Sequence, residues 1–422
     1  MITHKYPDLI IRKGNGTFFS GDISFKASFE ITHYPEKTII ETDVKNSINY
    51  LAAFTSNNSW KLNGLIDHDI PISASDLQIT SIEDKLILEP LIEVKFGDQG
   101  IDNFTHAEFP LIGFYNGKIE LNLNQWQIKS VGHSNEITYI KTIGKRWNLQ
   151  LEGLILRLEN DGSNTENFQS KANNITLLLS LALGNSIIFN RQLYYKNDRL
   201  VLEIWRRKAG YHFGVEPCIS DSQINKYLEK SLGSFEKWSK KKKDIFYSTV
   251  NFINSSSQGF LEDRLLRLCI AWESLASKWI KGNFLARVEL ELLKEFLRTS
   301  IDSFDLSENF DKNFIKDRIV KALDWEKLYN SLMTLIDHYQ LNYEKLQLDF
   351  KTLIKIRNEV AHSGQFRKKY SREKLADLIF YNKTGLQILL LLELGYDNLI
   401  EFQNDKWVTR IKIDELLKTP RT

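Results

Sequence analysis

The sequence predicts an α+β protein of more than one domain, with a mostly antiparallel β region at the N-terminus and an all-α helical bundle at the C-terminus. The chain has 422 residues, more than a single hydrophobic core normally supports. Apolar and polar residues alternate in short runs from about Leu9 to Leu158, whereas segments after Ser257 repeat apolar residues every three or four positions. We expect a sandwich-like β domain over 1-160, a mixed α/β extension with a basic linker over 161-250, and a helical domain over 251-422.

The composition is that of an ordinary folded protein. Hydrophobic residues make up 42% and charged residues 26% of the chain, a balance that excludes the intrinsically disordered class. Cys218 and Cys269 are too few for a disulfide framework or a cysteine-built zinc site, so a reducing compartment is expected. Because no apolar run is long enough to span a membrane and no signal peptide is evident, we expect a cytoplasmic protein with no membrane partner. The net charge of +2 leaves any polyanion site to local clustering.

The N-terminal region has the pattern of strands and hairpins. Residues 84–90 and 117–124 alternate apolar and polar side chains. The tripeptides Gly14-Asn-Gly and Tyr115-Asn-Gly contain residues that accept positive φ, which predicts a tight hairpin turn at each place. We find no catalytic triad, metal cluster or nucleotide-binding loop here, so a binding or sensing role is the default expectation, by analogy only. Four histidines are expected on the surface: His33, His68, His106 and His133.

The middle of the chain changes to a different pattern. Residues 168–183 predict a helix that is apolar on nearly every side and therefore buried, ended by Gly184-Asn185. Strand-like segments follow at 186–189 and 199–205. A lysine run at 240–243 and a polar stretch after it suggest a junction near 236–258. The lysine run is expected to be a solvated helix face or linker, with an RNA contact as the alternative.

Helical periodicity dominates from Ser257 to near the end of the chain. The first of these helices places six large apolar residues on one face, and further helices are predicted at about 285–298, 312–337, 343–363 and 371–394. Long helices with short connections indicate a bundle. The six residues are Leu261, Leu265, Leu268, Trp272, Leu275 and Trp279.

The segment 353–364 carries the chemistry that we regard as most informative. It ends the helix predicted from near Tyr343 and contains a guanidinium, an amide and an imidazole, those of Arg357, Asn358 and His362. The glycine that closes the segment predicts a helix end close to the histidine. Asn358 and His362 are four residues apart and share a face, whereas Arg357 and His362 diverge by about 140°. The length of the arginine, fraying of the helix end or a second protomer must close that gap.

These residue types suit cleavage of RNA by its own 2′-hydroxyl. That reaction needs a group that exchanges a proton near neutral pH, as histidine does. It also needs a permanent cation on the phosphorane oxygens, which the arginine fork provides without a metal or other cofactor. Asn358 could orient the phosphate or hold the histidine tautomer, and the residues do not choose between these two roles.

Each of these residues also has a purely structural interpretation. His362 could cap the end of its helix, and Arg357 could form an ordinary surface ion pair. Glu273, on a helix rich in leucine and tryptophan, is expected to pair with an arginine, and orienting Arg357 would be one form of that role. Arg207 and His212 have the same spacing, but a glycine interrupts their strand-like segment, so this pair is not favoured.

Positive charge clusters beside the histidine. Residues 351–374 contain eight basic and two acidic side chains, a local balance of +6. We expect four of the basic residues to contact an RNA backbone, namely Arg367, Lys368, Lys369 and Arg372, with a solvated loop as the alternative. Tyr370 could stack on a base or simply pack.

Arg357-Asn358 followed by His362, at the end of a helix in an all-helical C-terminal region, resembles the signature of HEPN domains. The run 267–276 is similar to the first helix of the ApeA-like branch, which carries an acidic residue at the position of Glu273. That branch also joins its helical domain to a β-rich N-terminal region, and 177–186 looks similar to a segment there. The resemblance covers about 260–395 and is loose before it.

The resemblance implies a metal-independent endoribonuclease that acts as a homodimer through the C-terminal helical domain, in bacterial defence against phage. Arg357, Asn358 and His362 would be catalytic, with Glu273 supporting them. The substrate would be RNA, and the N-terminal domain would respond to a phage-derived trigger. Because the family also contains non-catalytic members, the alternative is a HEPN-scaffold protein that binds a nucleotide, RNA or a protein partner without cleaving it.

Overall fold

The computed structural model describes most of the chain, in two compact units, Met1–Glu236 and Lys237–Thr422. The described residues are 10–33, 38–43, 59–67, 69–82, 85–114, 118–131, 152–206, 217–279, 287–303, 311, 313, 314, 316, 318, 328–363, 370–404 and 407–418. Antiparallel strands dominate the first unit and helices the second, so the predicted α+β class with an N-terminal β region and a C-terminal helical region is confirmed.

Thirteen strands form one sheet in the first unit, and all of their described pairings are antiparallel. The strand order is β4-β1-β2-β3-β6-β5-β7-β13-β12-β8-β11-β10-β9. The strands are β1 (Ile10–Ser20), β2 (Ile23–His33), β3 (Thr38–Asp43), β4 (Trp60–Ile66), β5 (Ile70–Ile82), β6 (Lys85–Pro90), β7 (Glu93–Gly97), β8 (Phe104–Ile112), β9 (Glu120–Leu123), β10 (Trp126–Val131), β11 (Glu152–Ser163), β12 (Arg191–Lys196) and β13 (Arg199–Arg206).

Six of these strands close into a barrel, where the sequence predicts a sandwich. Strand β5 pairs with β6 along its second half and with β4 along its first half, which joins the two ends of the series β4-β1-β2-β3-β6-β5. Between Ala74 and Leu77, β5 has one residue more than β4, and Asp76 there has a φ of 54°. Such a bulge bends a strand and increases its twist, which allows closure. Period-two alternation is the same in a sandwich and a barrel, so the pattern alone could not separate them.

The interior of the barrel is mainly apolar and aromatic. Phe18, Trp60 and Leu88 are completely buried in it. The Phe25 ring stacks on Phe18, with ring centroids 5.0 Å apart, and meets the edge of Trp60 at 5.6 Å. Aromatic pairs in these geometries add to the free energy of burial, so this layer holds the strands of the barrel together.

His33 and His106 are buried, so the prediction of surface positions for them is wrong. His33 is 2% exposed, stacks on Trp205 at 4.5 Å between ring centroids and hydrogen-bonds Thr38 through Nδ1 at 2.9 Å. Burial, assisted by the charge of Arg191, lowers the pKa of His33 to about 3, so its ring is neutral at physiological pH. A buried, hydrogen-bonded and stacked imidazole is a packing element, which composition could not reveal. His68 and His133 lie outside the described residues.

The sheet continues past the barrel through seven more strands, and helix α1 (Thr165–Leu183) packs on this extension. Strands β12 and β13 belong to the same sheet, so the sheet crosses the boundary expected at residue 160. Phe168 of α1 contacts the edge of Trp126 at 5.2 Å between ring centroids. The predicted burial of the apolar run is confirmed, as is the helix end at Gly184, which has a φ of 64°. Helix α2 (Ile224–Glu236) follows.

The second unit contains six of the described helices and a β-hairpin. The expectation that the chain is helical to near its end is therefore wrong. The two strands of the hairpin alternate apolar and polar residues over too few positions for the sequence pattern to identify them. The helices are α3 (Lys240–Ser255), α4 (Leu261–Trp279), α5 (Arg287–Ser303), α6 (Leu328–His338), α7 (Phe350–Ser363) and α8 (Arg372–Glu393), and the strands are β14 (Leu399–Asn404) and β15 (Trp407–Lys412).

The lysine run forms the first turn of α3, capped by Ser239. Lys242 is ion-paired with Glu393, and its ammonium lies 4.2 Å from the centroid of the Trp238 ring. Lys240 and Lys241 are exposed. The run is therefore the start of a helix that packs in the second unit, with one of its lysines held by a carboxylate and an aromatic ring.

Helix α8 is a long, largely buried apolar helix of this unit. The sequence has no uninterrupted apolar run long enough to span a membrane, but α8 as a whole, with its polar residues, is long and apolar enough to do so. Of its most apolar stretch, 72% is buried inside the protein. Gly385 lies where α8 meets its neighbours, because a Cβ there would come within 2.9 Å of Leu348 and 3.2 Å of Trp272. The core helix of a folded domain has these features as well.

Two glycines predicted to form a turn lie instead in the middle of β1. Gly14 and Gly16 face β4, and a Cβ on Gly14 would lie 2.3 Å from the carbonyl oxygen of Leu65. The hairpin turn comes later, at Gly21, whose φ is 56°. Glycine is needed in β1 for the close approach of two backbones and not for positive φ. The second predicted turn, at Tyr115-Asn-Gly, lies outside the described residues.

We predict that Gly14→Ala lowers the free energy of unfolding of the first unit by about 1–3 kcal/mol, the usual range for overpacking. Gly233→Ala is the control, because this glycine is exposed inside α2 and an added methyl group would meet no neighbouring atom within 4 Å. Alanine there should raise stability by about 1 kcal/mol through helix propensity. Denaturant titration of the full chain measures both changes. Equal midpoints for Gly14→Ala and wild type would contradict the close approach of β1 and β4.

Candidate active site on helices α4 and α7

Helices α4 and α7 bring Glu273 and Arg357 together, although 84 residues separate them in the chain. Nη2 of Arg357 donates to Oε2 of Glu273 at 3.4 Å, and Nη1 donates to Oδ1 of Asn358 at 3.1 Å. Three of the residues that the sequence singled out thus form one contact group. The carboxylate and the amide hold the guanidinium from two sides, which restricts its orientation.

The two helices meet here because the turns below the site pack tightly. The thiol of Cys269 donates to the carbonyl oxygen of Leu353 at 3.7 Å, one helical turn before Glu273 and Arg357 respectively. Trp272 is completely buried and meets the edge of Phe350 at 5.0 Å between ring centroids. This packing confirms the predicted inward face of the helix, where Leu265, Leu268, Trp272 and Leu275 are buried. Leu261 is half-buried, and the side chain of Trp279 lies outside the described residues.

Helix α7 begins seven residues after the predicted start at Tyr343. Gln347 has a φ of 52°, which an α-helix cannot contain, and the side chain of Asp349 accepts a hydrogen bond from the Thr352 amide at 3.0 Å. Asp349 is thus the N-cap that fixes the first turn at Phe350. The periodic pattern continued upstream, so only the backbone geometry locates this start.

The ion pair is accessible to solvent. The side chains of Arg357 and Glu273 are 36% and 43% exposed. An ion pair with this exposure typically contributes about 0–1 kcal/mol to stability, so its main effect is to orient the arginine. Asn358 is exposed as well, so the group can be reached by a ligand.

Directly beneath this group lies the thiol of Cys269. Burial raises the pKa of this thiol to about 12, against the opposing effect of the Arg357 guanidinium and with a smaller contribution from the charge of Glu273. A thiol with this pKa is protonated at neutral pH and is a poor nucleophile. Cys269 therefore belongs to the packing of the site.

His362 lies in the last turn of α7, which ends at Ser363. Its backbone is one turn beyond Asn358, but its side chain lies outside what the structure describes. The same holds for Gly364, Arg367, Lys368 and Lys369, and for the alternative pair Arg207 and His212. The structure thus brings together Glu273, Arg357 and Asn358, and a position for the imidazole of His362 stays a prediction.

Arg372 opens α8 and is exposed. It lines a surface groove with Phe260 and Tyr370, away from the contact between Glu273 and Arg357. The sequence does not single out Phe260, because a phenylalanine just before an apolar helix has the pattern of a buried residue. Gly259 was the available signal: its φ of 93° turns the chain at this point.

Among the described residues, no group of three or more His, Cys, Asp or Glu side chains could hold a metal ion. No protein-family model, curated protein or solved structure matches the chain.

We predict that Cys269 does not react with a maleimide in the native protein at pH 8, because the buried thiol with a pKa of about 12 is almost wholly protonated there. Mass spectrometry of the intact protein measures the labelling. Phe260→Cys supplies a positive control at an exposed position, and denatured protein supplies a second one. Labelling of native Cys269 at the rate of the Phe260→Cys thiol would contradict the packing between α4 and α7.

Proposed function

We propose that the chain is a metal-independent endoribonuclease of the HEPN type. The observation that carries the proposal is the group formed by Arg357, Glu273 and Asn358 on α4 and α7, with His362 one turn further along the same helix. An oriented, solvent-accessible guanidinium close to a histidine suits phosphodiester cleavage. The resemblance of the same residues to the HEPN signature supports the proposal independently of the geometry.

In the proposed reaction, the 2′-hydroxyl oxygen of the RNA attacks the adjacent phosphorus and loses its proton to a base. The bond from phosphorus to the 5′-oxygen of the next nucleotide breaks, and that oxygen takes up a proton. The products are a 2′,3′-cyclic phosphate and a 5′-hydroxyl. His362 would transfer a proton in this step, since an imidazole exchanges protons near neutral pH.

Arg357 would stabilise the negative charge that develops on the phosphorane oxygens. A guanidinium has five N–H donors, of which the contacts with Glu273 and Asn358 use two. The remaining donors can bind phosphate oxygens while the carboxylate keeps the plane of the guanidinium fixed. Glu273 is thus proposed as a positioning residue. Asn358 would hold Arg357 or orient the phosphate.

RNA would be held by the basic residues that follow α7. The exposed Arg372, together with Arg367, Lys368 and Lys369 before it, gives a local positive charge in the stretch of sequence that follows His362. Backbone phosphates are bound through such charge, so affinity should fall as salt concentration rises.

A homodimer through the C-terminal helical unit would complete the site. Arg357 and His362 diverge by about 140° on one helix, whereas a two-fold partner can supply the second residue. Ile270 lies one turn before Glu273 on the exposed side of α4, and it is an apolar side chain left open to solvent. In the proposed dimer a second copy covers Ile270, and the two His362 side chains would face a shared groove.

The biological role that fits this chemistry is defence against phage. The resemblance to the ApeA-like branch supports an abortive-infection effector in the cytoplasm, with the N-terminal β unit as the part that responds to a phage-derived trigger. Such a division would separate sensing in the sheet from cleavage in the helices.

The competing proposal is a HEPN-scaffold protein that binds RNA, a nucleotide or a protein partner and does not cleave. The same ion pair favours it, because Glu273 and Arg357 would also connect α4 and α7 in a purely structural role. Cleavage of RNA by purified protein separates the two proposals.

We predict that the purified chain cleaves single-stranded RNA in EDTA and leaves 2′,3′-cyclic phosphate ends. His362→Ala and Arg357→Ala should each reduce the rate by about 100-fold or more, the scale for loss of an acid–base group or of a charge that stabilises the transition state. Electrophoresis of labelled RNA and analysis of its ends measure both. Glu273→Gln should lower kcat less than Arg357→Ala does.

His212→Ala is the matched control, because it removes the histidine of the unfavoured pair and should leave the rate unchanged. Ends with a 5′-phosphate, or loss of activity in EDTA, would exclude the 2′-hydroxyl mechanism. No cleavage by the wild type would favour the scaffold proposal.

We predict further that the active form is a dimer. Specific activity should fall on dilution in parallel with the dimer fraction measured by analytical ultracentrifugation, since each site needs residues from two chains. Ile270→Asp, which places a charge in the proposed interface, should weaken the dimer and the activity together. A monomer that cleaves RNA at the full rate would show that one chain holds the complete site.

A further inference from the structure

A groove of about 550 Å³ lies where the chain enters α4 and α8. Phe260 precedes α4, and Tyr370 and Arg372 stand at the start of α8. Gly259, Leu261, Glu262 and Leu375 complete its lining. Two aromatic rings and a permanent cation thus share one concave surface.

Phe260 has no evident role in the packing of the unit. Its side chain is 81% exposed, although the residue begins a helix: its carbonyl oxygen accepts a hydrogen bond from the Arg264 amide at 3.1 Å. At the start of α8, Ser371 instead caps the helix with its side-chain oxygen. A phenylalanine ring can neither cap nor, when exposed, contribute to burial. Single exposed aromatics are common on protein surfaces, but this one shares a groove with a second ring and a cation, a combination that suits contact with another molecule.

Charges of both signs border the groove, and the cations lie on the side of Tyr370, with Glu373 between them in the sequence. The Lys374 ammonium lies 5.9 Å from the centroid of the Tyr370 ring, and Arg372 lines the groove together with Tyr370. Three more basic residues, at 367–369, precede Tyr370 in the sequence. Glu262 lines the groove too, and a carboxylate there repels phosphate but can accept a hydrogen bond from the amino group of a base.

We propose that this groove is a subsite for the unpaired bases of single-stranded RNA. Phe260 and Tyr370 stack on bases, and Arg372 binds the phosphate between or beside them. Rings with cations next to them are the usual means of holding single strands, because every base has a face that can stack. Bases in a duplex are already stacked on each other and cannot enter. The inference rests on the proposed function for the identity of its ligand as RNA.

The subsite contributes affinity and not bond cleavage. Glu273 is twelve residues after Leu261 on α4, which corresponds to about 18 Å along the helix axis. The α4 side of the groove, which carries Phe260, is therefore too far from Arg357 to touch the phosphate that Arg357 would bind. Loss of Phe260 should raise KM for a long single-stranded substrate and leave kcat nearly unchanged.

The test is equilibrium binding of a fluorescent single-stranded oligonucleotide of 2′-O-methyl RNA to the full chain. Methylation removes the attacking hydroxyl, so binding is measured without cleavage. Phe260→Ala should weaken binding by about 5- to 100-fold, the effect of losing the stacking of one base. Phe260→Tyr keeps the ring and should bind like the wild type. Phe260→Ala should melt at the wild-type temperature, because its side chain is exposed.

Phe296→Ala is the matched control, since Phe296 is an exposed aromatic (65%) on α5 that does not line the groove. It should bind like the wild type. Unchanged binding by Phe260→Ala, equal losses for Phe296→Ala, or equal losses for single-stranded and duplex RNA would each overturn the subsite. No detectable binding of the oligonucleotide by the wild type would overturn it as well.

This experiment separates the subsite from the proposed nuclease. If the wild type cleaves RNA while Phe260→Ala binds normally, the nuclease proposal stands and the subsite fails. If binding depends on Phe260 but unmethylated RNA is not cleaved, the subsite stands and the nuclease proposal fails.

Discussion

The packing of α4 against α7 is the contact on which the proposed site depends. Cys269 and Leu353 meet at 3.7 Å, and buried Trp272 meets the edge of the Phe350 ring. Side chains in a close-packed core have few alternative positions, so the register between the two helices is fixed. The next turn of each helix then carries Glu273 and Arg357, which come within 3.4 Å of each other. A shift of one turn on either helix would separate the carboxylate of Glu273 from the guanidinium of Arg357.

This arrangement orients the side chains of the site but adds little to the stability of the fold. Both partners of the ion pair are more than a third exposed, and the thiol beneath them stays protonated. Stability comes from the buried apolar side chains of the unit, among them Leu268, Ile356 and Leu389. The exposed side chains of the site can therefore be used to bind a ligand, because substituting them should change the free energy of unfolding little. Phe260 is a second side chain that can bind a ligand without contributing to stability, because its exposed ring is not part of the hydrophobic core.

The first unit depends on a different constraint, the closure of a barrel from strands of unequal length. The bulge at Asp76 lets β5 pair with strands on both sides, and Gly14 and Gly16 let β1 approach β4. Inside the unit, Glu203 accepts hydrogen bonds from Arg12 at 2.5 Å and from Nε1 of Trp205 at 2.7 Å, and the neutral His33 stacks on Trp205. Because the pKa of His33 is about 3, this histidine keeps one charge state throughout the physiological pH range.

The sequence by itself determined the class of each region, because apolar periodicity reports which face of an element is buried. It located α1 and α8 to within a few residues, the buried face of α4, and the segment that carries Arg357 and Asn358. It could not determine that β5 closes a barrel, that Gly14 lies in a strand, or that His33 is buried, since each depends on which strands become neighbours. The contact between Glu273 and Arg357 was only one of several possible pairings in the sequence. Tertiary structure decided it, because 84 residues separate the two and only helix packing brings them within hydrogen-bonding distance.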